Sequence, residues 1–238
     1  MTLSKEAPLR HRAARLMIMA ASAVALAQVA RAAESAIAIP PAAESPATES
    51  KDLQKVVVAG GCFWGVQAVF QHVKGVISAV SGYAGGSPMQ ANYSAVSTGV
   101  TGHAEAVEVV FDPKVVSYGQ ILQVFFSVAH DPTELDRQGP DVGSQYRSEI
   151  FAQDEAQATL AKSYVAQLDK AAVYRQKIVT KIGPLKSFSA AEPYHQDYLF
   201  HHPNQPYIVY NDLPKIENLK RLFPDLYRAA PKLVAGGA

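Results

Sequence analysis

Gly61-Cys62-Phe63-Trp64-Gly65 brings the chain's one cysteine and its one tryptophan into a single five-residue run. The thiol follows the apolar run Val56-Val57-Val58-Ala59 and a Gly60-Gly61 pair, and residues 65–70 can continue as a helix. That order predicts strand, tight turn, helix, with the thiol at the helix start. Free backbone N–H groups and the positive end of the dipole sit there, and both favour a thiolate. The two aromatic rings beside it offer an apolar seat for a small substrate group. A lone cysteine is otherwise a small buried hydrophobe. The flanking glycines and bulky rings at a strand–helix junction favour the reactive reading.

A second group comes from periodicity. Residues 103–111 read as a strand in which Val107, Val109 and Phe111 share one face, and a period of two places His103 and Glu105 on it too. Glu108 lies opposite. Glu105 therefore points to the apolar side at the strand's entrance, where desolvation raises a carboxyl pKa. The structural alternative is a glutamate paired with a base or lying at a frayed edge. The seven histidines never join Cys or acids at metal-ligand spacing, so no metal site and no metal cofactor are expected. A nucleotide motif is absent. A Cys–His hydrolase using His103, His130 or His195 as base stays open, as does a non-catalytic secreted binding domain with a buried thiol.

The elements that must hold these groups follow. Strands are expected at residues 56–59, 76–80, 103–111, 149–151 and 178–182. Residues 83–102 and 133–145 read as long polar loops. Ser117 caps a helix with the stripe Ile121, Leu122, Phe125, Phe126 and Ala129. Residues 154–168 form a helix with Ala161, Tyr164, Val165 and Leu168 inward. Residues 194–200 are expected as one helical stretch, and Asp212 caps the last helix with Pro214 in its first turn. The pattern predicts an α+β fold, a two-layer sandwich with helices packed on a small mixed sheet.

Outside the domain, Lys5, Arg10, Arg12 and Arg15 precede an apolar stretch and Ala30-Arg31-Ala32, the three-part pattern of a signal peptide over residues 1–32. Residues 33–52, rich in Ala, Pro, Ser and Glu, read as a disordered linker. Residues 53–231 are the domain, and 232–238 a frayed tail. Removing residues 1–32 takes away five basic side chains and one acid, which turns a formal charge of +1 into −3. A mildly acidic domain has no electrostatic footprint for nucleic acid. The expected location is periplasmic or secreted, without a stable membrane anchor after cleavage, and as a monomer. With one cysteine the chain forms no internal disulfide, so a free thiol in an oxidising compartment points to a use or to deep burial.

The residues also carry a resemblance. Gly61-Cys62-Phe63-Trp64-Gly65 is similar to the signature of the peptide methionine sulfoxide reductases of the A type, which act on the S epimer. In order along the chain, Gly82-Tyr83-Ala84-Gly85-Gly86 with Tyr93, Thr101-Gly102-His103-Ala104-Glu105-Ala106-Val107, His130-Asp131-Pro132 with the block from Arg137 to Ser148, and Glu192-Pro193-Tyr194-His195-Gln196 resemble the family's further blocks. The resemblance implies a ferredoxin-like, split βαβ sandwich. It implies Cys62 as nucleophile, Glu105 as the acid that protonates the sulfoxide oxygen, and Tyr93 and Tyr146 as donors to that oxygen. Phe63 and Trp64 hold the substrate methyl, and Asp141 orients the peptide side of the substrate or the waters near the thiol. A sulfoxide oxygen leaves only when protonated, so such a site needs a thiolate and a neutral acid together. The product on Cys62 is a sulfenic acid. The chain lacks the C-terminal recycling cysteines of many relatives, which implies a thioredoxin-like or glutathione-linked reductant and no other cofactor. Gln67 stands where the family usually has Glu.

Overall fold

The computed structural model describes residues 36–43 and 52–234. The expected signal peptide and most of the linker lie outside the described residues, as do residues 235–238. β1 (Gln54–Gly60), β2 (Val76–Ala84), β3 (Ala104–Phe111), β6 (Ser148–Ala152), β7 (Lys181–Pro184) and β8 (Phe188–Ala190) form one sheet in the order β7-β6-β1-β3-β2-β8. Only β6 and β7 pair in parallel, so the sheet is mixed. The central order β6-β1-β3-β2, antiparallel throughout, is the arrangement expected of a split βαβ fold. A separate two-stranded ribbon, β4 (Arg137–Gln138) and β5 (Asp141–Val142), lies in the second polar loop.

Alternation along the strands sorts the core. Val56 and Val58 of β1 and Val107, Val109 and Phe111 of β3 face the helices, whereas Val57, Ala59, Ala104 and Ala106 face a smaller cluster under Phe188. The helix layer comprises α1 (Phe63–Gln71), α3 (Tyr118–Val124), α4 (Glu155–Lys170) and α6 (Leu213–Leu222). The one-turn helices α2 (Tyr93–Val96) and α5 (Tyr198–His201) sit in loops. Ser117 starts α3 with a reciprocal capping box to Gln120, and Asp154 caps α4 through Gln157 N–H at 2.8 Å. Beyond α3 the expected stripe holds, but the backbone widens into a π-turn over Phe125–Ala129.

Several expectations change. Part of the supposed linker is docked rather than disordered. Ile37 N–H donates to Ser127 O at 3.2 Å, Gln123 Nε2 to Ile39 O at 2.9 Å and Tyr164 Oη to Pro40 O at 2.6 Å. Ile39 joins the core. Composition hid a single apolar anchor among small residues. The tail is tethered too, through Lys232 N–H to Gln71 O at 2.9 Å. The fifth strand is shifted to Lys181–Pro184, and Ile178 is buried before it. The expected helix over 194–200 is broken at Asp197, whose φ of 55° splits it into a turn over Pro193–His195 and the short α5. Asp212 makes no cap bond, because its own backbone is already helical, continuing a π-turn over Ile208–Asp212. Its carboxylate is buried instead against Gly65, where a Cβ would meet Oδ1 at 2.1 Å.

Candidate active site

β1 delivers Cys62 to the start of α1 through Gly60-Gly61. Gly61 has φ +88°, and a Cβ there would meet Gln138 at 2.5 Å, so only glycine fits both the turn and the close approach. The β1–β3 register pairs Val58 with Val107. Glu105, two residues earlier on β3, therefore enters the sheet at the end from which β1 leaves toward Cys62. Phe63 N–H, next to the thiol, donates to Glu105 Oε2 at 3.1 Å. Sheet register thus brings together the thiol marked by its glycine- and aromatic-flanked run and the carboxyl marked by strand periodicity.

Their protonation is set by burial. Glu105 is 3% exposed, and desolvation pushes its pKa up to about 8, with Phe63 N–H opposing and Asp141 adding to the rise. That agrees with expectation. Cys62 does not. Burial is the first cause raising its thiol well above the ordinary value, the carboxylates of Glu105 and Asp212 push the same way, and the Trp64 N–H opposes them only in part. The expected lowering by the helix terminus is overturned. One backbone donor and a nine-residue helix do not outweigh desolvation beside several acids. The pair thus tolerates one negative charge between them, and a thiolate is compatible with the site only while Glu105 carries a proton.

Phenols and an aromatic wall complete the site. Tyr93 opens α2, where Asn92 accepts from Ala95 N–H at 3.0 Å and Glu192 Oε1 accepts from Tyr93 N–H at 2.8 Å. The other oxygen of Glu192 accepts from Tyr83 Oη at 2.8 Å, so one carboxylate pins both tyrosine-bearing segments. Tyr146 ends the turn over Ser144–Tyr146, held by Arg147, which donates to Ser144 O at 2.9 Å and to Gly102 O at 3.1 Å. Desolvation first, then Glu105, raise both phenol pKa values, so the hydroxyls remain donors. Trp64 stacks on Tyr198 with centroids 3.7 Å apart, and meets the ring of Tyr207 edge-on. Its Nε1–H donates to His195 Nδ1 at 3.2 Å. An indole only donates, so Nδ1 accepts, and neutral His195 carries its proton on Nε2. Phe63 is buried behind this wall, between Tyr83 and His195, so it forms the floor and Trp64 the half-exposed side. Asp141 accepts a short bond from Tyr207 Oη.

Of the expected residues, Cys62, Trp64, Tyr93, Tyr146 and Asp141 keep some surface exposed, whereas Glu105 and Phe63 are buried next to the thiol. Sequence reasoning missed the wall's other half, Tyr198 and Tyr207, together with Glu192 and Asp212. A density of rings between Tyr194 and Tyr210 was the available signal. Two of the three candidate bases are occupied elsewhere, and the third, His195, stands in the wall with Nδ1 taken by Trp64. Gly86 N–H and Ser87 O hold His103, and Phe125 O and Ser148 Oγ hold His130. Burial, the first cause, pushes His130 down to about 3. Gln67 is fully used: Nε2 donates to Ala79 O at 3.0 Å and Gln196 Oε1 at 2.8 Å, and Oε1 accepts from Asp197 N–H at 2.9 Å. Glu could not make the two donations. Among the described residues no group of three His, Cys, Asp or Glu could hold a metal ion.

Comparison with known proteins agrees with this geometry. A family described as peptide methionine sulfoxide reductase matches residues 54–226. The peptide methionine sulfoxide reductase MsrA 2 of Mesorhizobium japonicum is 61% identical over 181 residues, covering 76% of this chain and 93% of that protein. The protein of the same name in Synechocystis is 45% identical, over 76% of this chain and 85% of that protein. Among solved structures, reduced Mxr1 of Saccharomyces cerevisiae superposes with a TM-score of 0.58 at 34% identity, over 67% of this chain and 94% of that one. Methionine sulfoxide reductase A of Corynebacterium diphtheriae gives 0.56 at 32%, over 72% and 86%.

Proposed function

The chain belongs to the peptide methionine sulfoxide reductase family and reduces methionine sulfoxide to methionine, and from that premise we propose how its own residues carry the reaction. The observation that carries the proposal is the Phe63 N–H to Glu105 bond, which sets a buried acid beside the chain's single thiol. Trp64, flanked by Tyr198 and Tyr207 over the floor at Phe63, takes the substrate's methyl group and selects the S epimer. Tyr93 and Tyr146 donate to the sulfoxide oxygen, and Asp141, through Tyr207, orients the peptide side. The Cys62 thiolate attacks the sulfoxide sulfur while Glu105 passes its proton to the oxygen. A sulfur–sulfur bond forms. On collapse the protonated oxygen moves to Cys62, methionine departs with a two-electron gain, and Cys62 becomes a sulfenic acid. One external thiol condenses with it to a mixed disulfide and releases water. A second thiol displaces Cys62 and restores it.

The reductant is a thioredoxin-like or glutathione-linked thiol, since this chain has no second cysteine to resolve the sulfenic acid. The basic start, apolar stretch and small residues of positions 1–32 support export to the periplasm or beyond, and the enzyme acts as a monomer. The test is mass spectrometry after one equivalent of methionine-S-sulfoxide without reductant. One added oxygen on the peptide carrying Cys62 is expected, and the N-terminal mass gives the cleavage point. An unmodified Cys62 with methionine formed overturns the scheme. A Cys–His hydrolase finds no support, since the described residues contain no hydrogen bond between Cys62 and a histidine.

A further inference from the structure

The wall at Trp64 hangs on a polar seam along α1. Trp64, Gln67 and Gln71 lie three and four residues apart, so they share one helix face. The loop that carries His195 and Tyr198 runs along that face. Tyr198 stacks on Trp64, Gln67 Oε1 accepts Asp197 N–H, and Gln71 Nε2 donates to Asp197 Oδ1 at 2.6 Å. Asp197 is 1% exposed and left-handed at φ 55°. A buried carboxylate is costly unless donors surround it. The remaining donor comes from far along the chain. After Tyr227 bridges to Val73, Arg228 N–H donates to His72 O at 2.8 Å and Lys232 N–H to Gln71 O at 2.9 Å, covering carbonyls at the end of α1. Val234 N–H then reaches both carboxylate oxygens of Asp197 at 3.2 Å.

We propose that residues 228–234 form a strap that completes the active site from behind, and that Asp197 is a positioning residue: bonded by Val234 N–H, it holds Tyr198 against Trp64 and so sets how firmly the substrate's methyl end is gripped. This rests on the reductase reading for its consequence on turnover but not for its geometry. Tyr198 is the residue after Asp197, so any shift that relieves a deprived carboxylate is passed to the stacked ring at once. Cys62, at the start of α1 just past β1, and Glu105, on β3, lie at the end of α1 away from the strap. Loosening it therefore weakens binding more than chemistry.

The test uses Val234→Pro, which removes the one N–H and leaves the site's side chains in place, with a companion chain ending at Pro231. Trp64 is the only tryptophan, so intrinsic emission reads the wall directly. Both variants should show a steeper acrylamide quenching slope, a KM for a methionine-sulfoxide peptide raised about 5- to 50-fold, and kcat changed less than about threefold. Asp197→Asn tolerates the left-handed backbone and removes the buried charge that needs the donor. Combined with Val234→Pro it should be nearer wild type than Val234→Pro alone, so the two changes do not add. Wild-type quenching and KM in both strap variants, or simple additivity, overturns the proposal. The quenching arm needs no substrate, so a wild-type protein that reduces no sulfoxide would refute the functional reading while leaving the strap decided by fluorescence.

Discussion

The reacting pair and the binding wall are built in opposite ways. Cys62, just past the end of β1, and Glu105, on the neighbouring β3, are brought together by backbone register. The wall of Trp64, His195, Tyr198 and Tyr207 is gathered from α1 and the chain after Glu192, and side-chain hydrogen bonds hold it. A sheet cannot shift by a fraction of a residue without losing its ladder, whereas a loop fastened by amides can adjust by degrees. The first region suits chemistry that needs atoms in fixed places. The second suits a pocket that must take methionine sulfoxide in varied peptides.

Variants should separate the two. Cys62→Ser removes the nucleophile, and turnover of the S epimer should fall about 10⁴-fold or more. Measurable reduction by that variant would break the comparison, because the pair would not be the reacting centre. Glu105→Gln should lower kcat about 10²- to 10³-fold with little change in KM. It should also alter the pH profile. The reactive state holds one proton between the two groups, and the first proton leaves near the value of about 8 that burial gives Glu105. So kcat/KM should rise as pH climbs toward about 8 and then level off. In Glu105→Gln the rising limb should move to more alkaline pH, since desolvation alone still holds Cys62 up.

Tyr146→Phe and Tyr93→Phe each remove a hydroxyl proposed above to donate to the developing oxygen charge, and kcat should drop about 10- to 100-fold per hydroxyl. Stopped-flow measurement of methionine release before reductant acts checks this step directly. The smallest effect falls on the wall. His195→Ala frees the indole N–H of Trp64, which should raise KM about 3- to 10-fold with kcat within about twofold. His195→Asn, which offers an acceptor again, should recover part of the loss. A kcat loss equal to that of Glu105→Gln would instead place His195 with the reacting pair.

Legibility divided along the same line. The strand face of Glu105 followed from a period of two, and the turn before Cys62 from paired glycines. Both are local rules. The protonation of Cys62 was misread, because a helix start is visible in sequence while the burial that chiefly raises the thiol, and the carboxylates of Glu105 and Asp212 that add to it, come together only in the folded chain. Ile39 looked like one apolar residue in a linker and proved a core contact, because only the folded helix layer offers Ser127, Gln123 and Tyr164 to receive its neighbours. Asp212 had the residue type of a cap and lost that role to a preceding π-turn.

The order of residues alone settled the identity of the sulfur, the carboxyl and the rings, and the strands and glycines that present them, because side-chain type and periodicity act over a few residues. Folding settled which charges share the site, which ring faces the pocket and which lies beneath it, and where the two ends of the domain are fastened. Those outcomes depend on desolvation and on contacts between distant segments, and neither exists until the chain has closed on itself.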